Sequence, residues 1–288
     1  MTSLTSSDHA YDREIETHRR SEATLVFARG GGRTFLKHQH IRYPFHVTRP
    51  FWLDPHRPEL ATLYLQSASA GIYRDDHLRL SVTARAGSNA HVTTQSATVV
   101  HDTGLRPARQ ETAVTVAPGA FLALTPDPLI LFPGASLTSS IEMSVASTSR
   151  AIVTEGFACF DPGATGRSFQ SLELLLTITD GDGRKIVQER GALAGEEAFS
   201  KGSPLGTYRA YASMIIIAPR DLWPDARELQ SELDRHGCLA GASPLPGGIG
   251  LNLRYLAPDG GALRDGLRAG FELAFTALVG VAPARRRK

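Results

Sequence analysis

Residues 78–85 of the chain read LRLSVTAR, and their alternation decides the fold class. Apolar and polar side chains exchange at every position, which is the period of a β-strand that buries one face and leaves the other in water. Residues 141–145, IEMSV, repeat this alternation, and residues 249–255, IGLNLRY, repeat it again near the C-terminal end. The sequence therefore predicts a body built from half-buried strands.

Short β-branched runs separated by Gly, Pro, Asp and Ser clusters fill the chain from residue 24 to residue 218. Runs of this kind, bounded by turn residues, are typical of strands. Further strands are predicted at 61–65, 90–100, 113–117, 121–124, 129–132, 150–158, 172–179, 184–189 and 207–217. No repeat of roughly 20–50 residues is visible, so neither a propeller nor a solenoid is expected.

Two helices are predicted after the strand-rich part of the chain. The first begins near Asp221, carries Pro224 in its opening turn and ends at Gly237. The second runs from about Ala262 to Leu278, where apolar residues recur every three or four positions opposite Arg and Glu. The predicted fold is mostly β, a layered antiparallel or mixed β-sheet body with two C-terminal α-helices.

The composition is that of an ordinary globular protein, with 288 residues of which 42% are hydrophobic and 21% charged. This length suits about two domains, or one large β-rich domain. The 31 Lys and Arg residues against 29 Asp and Glu leave a net charge of +2, which does not favour binding to nucleic acid. We expect a single β-rich domain at 23–284, preceded by a flexible arm at 1–22 and followed by a basic tail at 285–288.

The cysteines and the N-terminal sequence bear on where the protein works. Cys159 and Cys238 form no CxxC pair and cannot supply a four-ligand zinc site, so a reducing compartment is expected. The N-terminal residues contain no apolar signal segment, and no run approaches the roughly 18 apolar residues of a membrane-spanning helix. The sequence predicts a cytoplasmic protein without a membrane or nucleic-acid partner.

Signatures of the common enzyme classes are missing. The GGG at 30–32 lacks a following Gly-Lys-Ser/Thr, and the GGIG at 247–250 precedes a strand, so both are interpreted as turns. Asp75 and Asp76 are adjacent before a strand, where neighbouring side chains point to opposite faces. A polar turn is therefore favoured over a hydrolase built around Asp75 or Asp76, and the chain is not expected to be an enzyme.

His38 and His40 lie two residues apart on a possible strand, where both side chains would share a face and could bind nickel or zinc. No acidic or cysteine ligand follows at a characteristic spacing, which favours solvated or structural histidines. A stand-alone metal-binding chaperone that uses this pair is one alternative function.

Residues 93–98, TTQSAT, carry small hydroxyl and amide side chains where a buried strand would favour Val, Ile or Phe. Two interpretations stay open at this point. An edge strand, or a strand that faces solvent, tolerates such residues. Alternatively, something polar runs beside Thr93, Thr94 and Gln95.

The order and spacing of several segments resemble the UreD family of urease accessory proteins, called UreH in some organisms. The matching segments are RPF at 49–51, ATLYL at 61–65, AGIYRDD at 70–76, TTQSAT at 93–98 and LTPDPLILF at 124–132. With the C-terminal strand and helix, the resemblance spans about residues 24–284. The family turn is commonly Gly-Gly followed by Gly-Asp, and only Gly71 and Asp76 carry over.

This resemblance implies a mainly β fold with two helices, and a non-enzymatic scaffold in the maturation of urease, the nickel enzyme that hydrolyses urea. In that family the protein binds the urease apoprotein and UreF, and UreF recruits the GTPase UreG. Nickel is thought to pass through a polar passage inside the UreD-like subunit, with no tightly bound cofactor.

For individual residues, the resemblance implies that Gly71 and Asp76 shape a turn, and that Thr93, Thr94 and Gln95 lie beside nickel in transit. Neutral oxygen groups suit transit because they accept a hydrated divalent ion without holding it tightly. A diverged UreD paralogue with another client is a second alternative function.

Overall fold

The computed structural model describes residues 19–200 and 202–285, which form two stacked β-sheets and a helical layer. The seven strands of the first sheet are, in spatial order, β14 (Lys185–Ala194), β13 (Ser171–Thr179), β11 (Ser136–Val145), β8 (Ala108–Val116), β5 (Asp76–Ala84), β1 (Arg19–Gly30) and β2 (Arg33–Ile41). Pairing is parallel between neighbours from β1 to β13 and antiparallel at both edges.

The second sheet has ten strands. Its main path is β16 (Leu239–Pro244), β17 (Gly250–Ala257), β15 (Ala210–Ile217), β12 (Arg150–Cys159), β9 (Phe121–Thr125), β6 (Asn89–Thr94), β4 (Ala61–Ser67) and β3 (Phe45–Val47). Two short strands, β7 (Val99–Val100) and β10 (Leu129–Leu131), pair beside β12. The predicted strand at 90–100 is therefore two strands, because the chain leaves the sheet at 95–98.

The helices are α1 (Gly195–Ala198), α2 (Ala226–Arg235) and α3 (Gly260–Val279). The predicted fold class, mostly β with two C-terminal helices, is confirmed. Among the residues that the structure describes, no helix is both long and apolar enough to cross a membrane.

From β4 to β13 the chain alternates between the two sheets, which gives the body a wound, solenoid-like middle. Each passage from the first sheet to the second uses a turn of four residues, at 85–88, 117–120 and 146–149. Successive turns stack through the backbone, since Phe121 N donates to Ser88 O and Arg150 N donates to Ala120 O, both at 2.9 Å. The sequence shows no internal repeat for this winding, because backbone hydrogen bonds and not recurring side chains hold the turns together.

The return passages are longer, at 68–75, 95–107, 126–135 and 160–170, and all lie at the opposite end of the stack. A hydrophobic cluster packs beneath them, formed by Ile72, Leu78, Val100, Leu131, Leu137 and Phe157. We call this end the loop end. It is the part of the sandwich where the cavity described below is found.

Two larger cores hold the layers together. The core between the sheets includes Leu25, Val82, Val114 and Ile141 from the first sheet and Leu63, Val92, Leu122 and Val153 from the second. The core between the second sheet and the helices includes Phe121, Met214, Tyr255, Phe271 and Phe275. Burial of each large apolar side chain stabilises the fold by about 2 kcal/mol.

The predicted start of the first C-terminal helix at Asp221 is wrong. Residues 220–222 form a separate 3₁₀ turn, and α2 begins at Ala226. Asp225 is the reason, because its Oδ1 accepts hydrogen bonds from Arg227 N at 2.8 Å and Glu228 N at 2.9 Å. Pro224 therefore precedes the cap and is not in the first turn.

The expected flexible arm at 1–22 overlaps the first strand. β1 begins at Arg19 and pairs residue by residue with β5, so residues 19–22 are strand and not arm. Pairing with β5 orders these polar residues despite their low hydrophobicity, and on the other side Arg42 N donates to Glu22 O at 2.9 Å. Residues 1–18 and the tail residues 286–288 lie outside the described residues.

Candidate functional site

A cavity of about 630 Å³ lies between the two sheets at the loop end. Its walls are apolar toward the sheet core, where Leu80, Val92, Leu124 and Ile141 contribute. Its polar lining comes from the return passages and from polar side chains on both sheets, and includes His46, Gln66, Thr93, Thr94, Gln95, Gln110, Thr112, Asp127, Ser139 and Glu155. Binding sites commonly combine an apolar wall with a few convergent polar groups in this way.

The predicted polar strand lies along this cavity, since Thr93, Thr94 and Gln95 all line it. β6 is an inner strand between β4 and β9, so the edge-strand interpretation is wrong. Both threonine hydroxyls fix the neighbouring connection. Thr93 Oγ1 donates to Thr125 O at 2.7 Å, and Thr94 Oγ1 accepts from Asp127 N at 2.8 Å.

A short chain of polar side chains closes the solvent-exposed side of the cavity. His46 Nδ1 lies 2.7 Å from Gln66 Oε1, and Gln66 Nε2 donates to Gln95 Oε1. All three residues line the cavity. The arrangement places neutral oxygen and nitrogen ligands, and no carboxylate, along this stretch.

Gly71 and Asp76 differ in their position relative to the cavity. Gly71 lines the cavity, whereas Asp76 is absent from its lining. The Asp76 Oδ2 atom accepts from Tyr73 N at 2.8 Å, and Asp76 N donates to Tyr73 O at 3.1 Å. Asp76 therefore closes the turn that precedes β5.

Replacing Gly71 by alanine is expected to lower the free energy of unfolding by about 2 kcal/mol. The new Cβ would overlap the Val99 carbonyl oxygen and lie 2.8 Å from His101 Cδ2. That carbonyl accepts from Ile72 N at 2.8 Å, so moving it also weakens a backbone hydrogen bond. Urea unfolding measures the loss. Gly181→Ala is the control, because nothing lies within 4 Å of its Cβ, and an equal loss there would contradict the steric argument.

Two carboxylates, those of Asp127 and Glu155, line the cavity. Asp127 belongs to the return passage at 126–135, and Glu155 is the one carried by a long strand. It lies on β12, in the middle of the second sheet, and its Oε2 atom is shielded from solvent without a hydrogen-bond partner. Burial raises the pKa of this carboxyl to about 7, and the negative charge of Glu189 adds to the shift. A buried acid of this kind is half ionised near neutrality.

Sequence reasoning missed Glu155, although one signal was present. Residues 151–160 read AIVTEGFACF, and the only charged side chain stands in the middle of an apolar run. A charge in a fully buried strand is costly unless something compensates for it. Such a position is a candidate for function.

Beyond Glu155 a polar network continues toward β17 and toward β14, which is an edge strand of the first sheet. Ser213 Oγ donates to Asn252 Oδ1 at 2.9 Å, and Asn252 Nδ2 lies 3.4 Å from Glu189 Oε1. Arg254 Nη2 donates to Glu189 Oε2 at 2.8 Å. This network joins β14 of the first sheet to β15 and β17 of the second, so polar groups reach from the cavity to that edge.

The histidine pair and the cysteines lie outside any cluster of three or more metal-ligand side chains among the described residues. His38 and His40 are exposed on β2, and His40 Nε2 lies 3.1 Å from Glu22 Oε1. Within 19–200 and 202–285, no group of three or more His, Cys, Asp or Glu residues could hold a metal ion. Burial raises the pKa of the Cys159 thiol to about 12 and that of Cys238 to about 11, so both stay protonated at neutral pH.

Comparison with known proteins assigns the chain to a family. The family model described as UreD urease accessory protein matches residues 19–288 of this chain. The chain belongs to the UreD family. Urease accessory protein UreD 1 of Methylorubrum extorquens is 54% identical over 271 residues, which cover 94% of this chain and 92% of that protein.

Some relatives come from organisms that have more than one UreD protein, and the identities to these proteins differ. Bradyrhizobium sp. strain BTAi1 has a UreD 1 that is 48% identical over 267 residues, covering 93% of this chain and 94% of that protein. UreD 2 of the same strain is 35% identical over 262 residues, covering 88% and 87%. The chain is thus more similar to the first copy, and as a UreD protein it is involved in urease maturation.

Proposed function

We propose that this chain is a non-enzymatic scaffold that binds the urease apoprotein and UreF with UreG, and that nickel reaches the urease active site through the cavity between its sheets. The single observation that carries the proposal is Glu155 at the wall of a 630 Å³ cavity, whose Oε2 atom is shielded from solvent and has no hydrogen-bond partner among the described residues. A buried acid in this position has a physical reason to exist if a cation visits it.

The lining suits passage better than storage. His46, Gln66 and Gln95 offer neutral ligands on the exposed side, and Thr94 and Ser139 add hydroxyl groups further in. The Glu155 carboxylate neutralises half of the charge on a divalent ion, which attracts the ion without surrounding it with anionic ligands. Nickel is the cargo in this scheme and not a resident cofactor.

Binding of the nickel ion and protonation of Glu155 are linked in this scheme. Its carboxyl holds a proton part of the time at neutral pH, because its pKa is raised to about 7. A cation beside it favours the ionised form, so entry of the ion releases that proton. Departure of the ion returns the carboxyl to its neutral, better tolerated form.

The experiment that tests the function is urease activity at limiting nickel in cells that express the urease subunits and the other accessory proteins, with and without this chain. We expect activity to depend on the chain. Equal activity without it would overturn the maturation role for that urease and favour a diverged paralogue with another client.

Replacing Asp76 by asparagine is expected to leave urease activation within about twofold of the wild type. The carboxylate closes the turn through Tyr73 N and does not line the cavity. An amide oxygen can accept the same bond, at a cost of about 1 kcal/mol in stability. The measurement is activation normalised to folded protein. A tenfold loss would show that Asp76 acts on the cargo and not on the turn alone.

A further inference from the structure

Exposed aromatic side chains are concentrated on one side of the sandwich, where β2 ends the first sheet and β3 ends the second. Among the described residues, eight large hydrophobic side chains are exposed, and five of them fall within residues 35–53. These five are Phe35, Tyr43, Phe51, Trp52 and Leu53, with exposed fractions between 37% and 57%. Scattered exposed apolar residues are ordinary, but such a concentration marks an interaction site. We call residues 33–53 the β2–β3 side.

The same part of the chain is strongly basic. Residues 29–57 contain six Arg or Lys and one acidic residue, Asp54, which is buried. The whole chain is nearly balanced, with 31 basic and 29 acidic residues. Arg33, Lys37 and Arg49 are exposed and make no ion pair with the described residues. Arg42 pairs with Glu22 at 3.5 Å and Arg57 with Glu59 at 2.6 Å. The charges of Arg33, Lys37 and Arg49 are therefore the ones that no ion pair neutralises within the described part of the fold.

The aromatic residues are held in place before any partner arrives. Trp52 Nε1 donates to Thr34 O at 3.1 Å, and the Arg33 guanidinium lies 5.7 Å from the Trp52 ring centroid. Phe51 exchanges two backbone hydrogen bonds of 2.7 Å with Thr62. Fixed side chains lose little conformational entropy on binding, which favours association.

The edge of β2 is built against strand addition. The register between β1 and β2 shifts at Val26 and Phe27, which leaves Lys37 as an extra residue in a bulge. Thr34 N already donates to Glu59 O at 3.0 Å. Bulges and lysines protect edge strands from pairing with other chains. A partner on this side therefore contacts side chains and does not extend the sheet.

We propose that the β2–β3 side is the docking surface for a protein partner with an acidic, partly apolar face. Tyr, Trp and Arg side chains fixed by neighbours are the residues that dominate protein interfaces. A nucleic-acid surface would call for a basic domain overall, and this chain carries only +2. Tyr43 directly precedes Pro44, Phe45 and His46, which line the cavity, so a partner seated here lies beside the proposed passage.

The test uses the full chain with two purified probes, urease apoprotein and the UreF–UreG complex, and rests on the proposed function for that choice. Trp52→Ala is expected to weaken binding of one probe about thirtyfold, as for a central interface residue. The double variant Lys37→Glu and Arg49→Glu is expected to weaken the same binding about tenfold at low salt, and added salt is expected to weaken wild-type binding.

Matched controls lie on other surfaces. Leu105 is 94% exposed at the loop end, so Leu105→Ala tests the loss of an exposed apolar side chain elsewhere. Lys185→Glu with Arg227→Glu reverses two charges on β14 and α2. Both controls are expected to bind as the wild type does. Circular dichroism checks folding, and the charge variants carry the test if Trp52→Ala is unstable.

The outcomes separate the two proposals. If the β2–β3 variants bind both probes as tightly as the wild type, the docking surface is wrong and the scaffold role stands. If the wild type binds neither probe, both proposals fail. If the variants lose binding only to a single-stranded RNA or to phosphatidylserine vesicles, the surface serves another class of partner and the inference is overturned.

Discussion

Replacing Glu155 by glutamine is expected to lower nickel-dependent urease activation about tenfold while the accessory complex still assembles. A carboxylate 4 Å from a divalent ion contributes roughly 8 kcal/mol at an effective dielectric constant of about 20, most of which offsets lost hydration. A remainder of only about 1.4 kcal/mol on the limiting step changes a rate tenfold. Glutamine keeps the shape of the side chain and removes the charge.

The measurement is urease activity against nickel concentration in cells, with co-purification of the complex as the check on assembly. Glu142→Gln is the matched control, because Glu142 is exposed on β11 and is not part of the cavity lining. Higher nickel is expected to restore part of the activity, since the substitution weakens attraction and leaves the cavity open. Wild-type activation by Glu155→Gln at limiting nickel would remove the central support for passage through this cavity.

The same substitution is expected to stabilise the isolated chain at pH 8 by about 3 kcal/mol and to change its stability little at pH 4.5. The folded-state pKa of Glu155 is about 7, against 4.5 for the free side chain. Below pH 4.5 the carboxyl is protonated in both the folded and the unfolded chain, so it imposes no penalty. As the pH rises toward 7 the unfolded chain ionises first, and the folded state loses stability until both are ionised. The difference of about 2.5 pKa units corresponds to about 3 kcal/mol.

Urea unfolding of both proteins at the two pH values measures this difference. Glutamine cannot ionise, so its advantage should grow between pH 4.5 and pH 7 and then level off. Stabilisation of equal size at both pH values would mean that the gain comes from packing and not from the charge. If Glu155→Gln raises the free energy of unfolding and lowers urease activation, then Glu155 serves function while it destabilises the fold.

Much of the fold could be predicted because its strands and its last helix follow local rules. The alternation at 78–85 matches β5, and the apolar period after Ala262 matches α3, which begins at Gly260. The first residues of α2 and α3 could not be predicted by such rules. Each helix begins where the carboxylate of its cap, Asp225 or Asp259, accepts hydrogen bonds from backbone N–H groups. The parallel pairing of distant strands left no local signal.

The candidate site was predicted only in part. Thr93, Thr94 and Gln95 stood out because polar residues are unusual in a buried strand, and all three line the cavity. Glu155, Gln110 and Ser139 lie on three separate strands, and only the stacking of the two sheets brings them together. Asp76 was a candidate by its motif, but the turn uses its carboxylate.

The winding of the chain also decides where this protein can tolerate insertions and deletions. Each four-residue turn at 85–88, 117–120 and 146–149 bonds to its neighbours, so a change in length there would shift the strands on both sides. The return passages are longer and lie on the surface, where chain length varies most freely. Because the return passages at 68–75, 95–107 and 126–135 contribute to the cavity lining, a change of length there can alter what the cavity admits while the strand register stays the same.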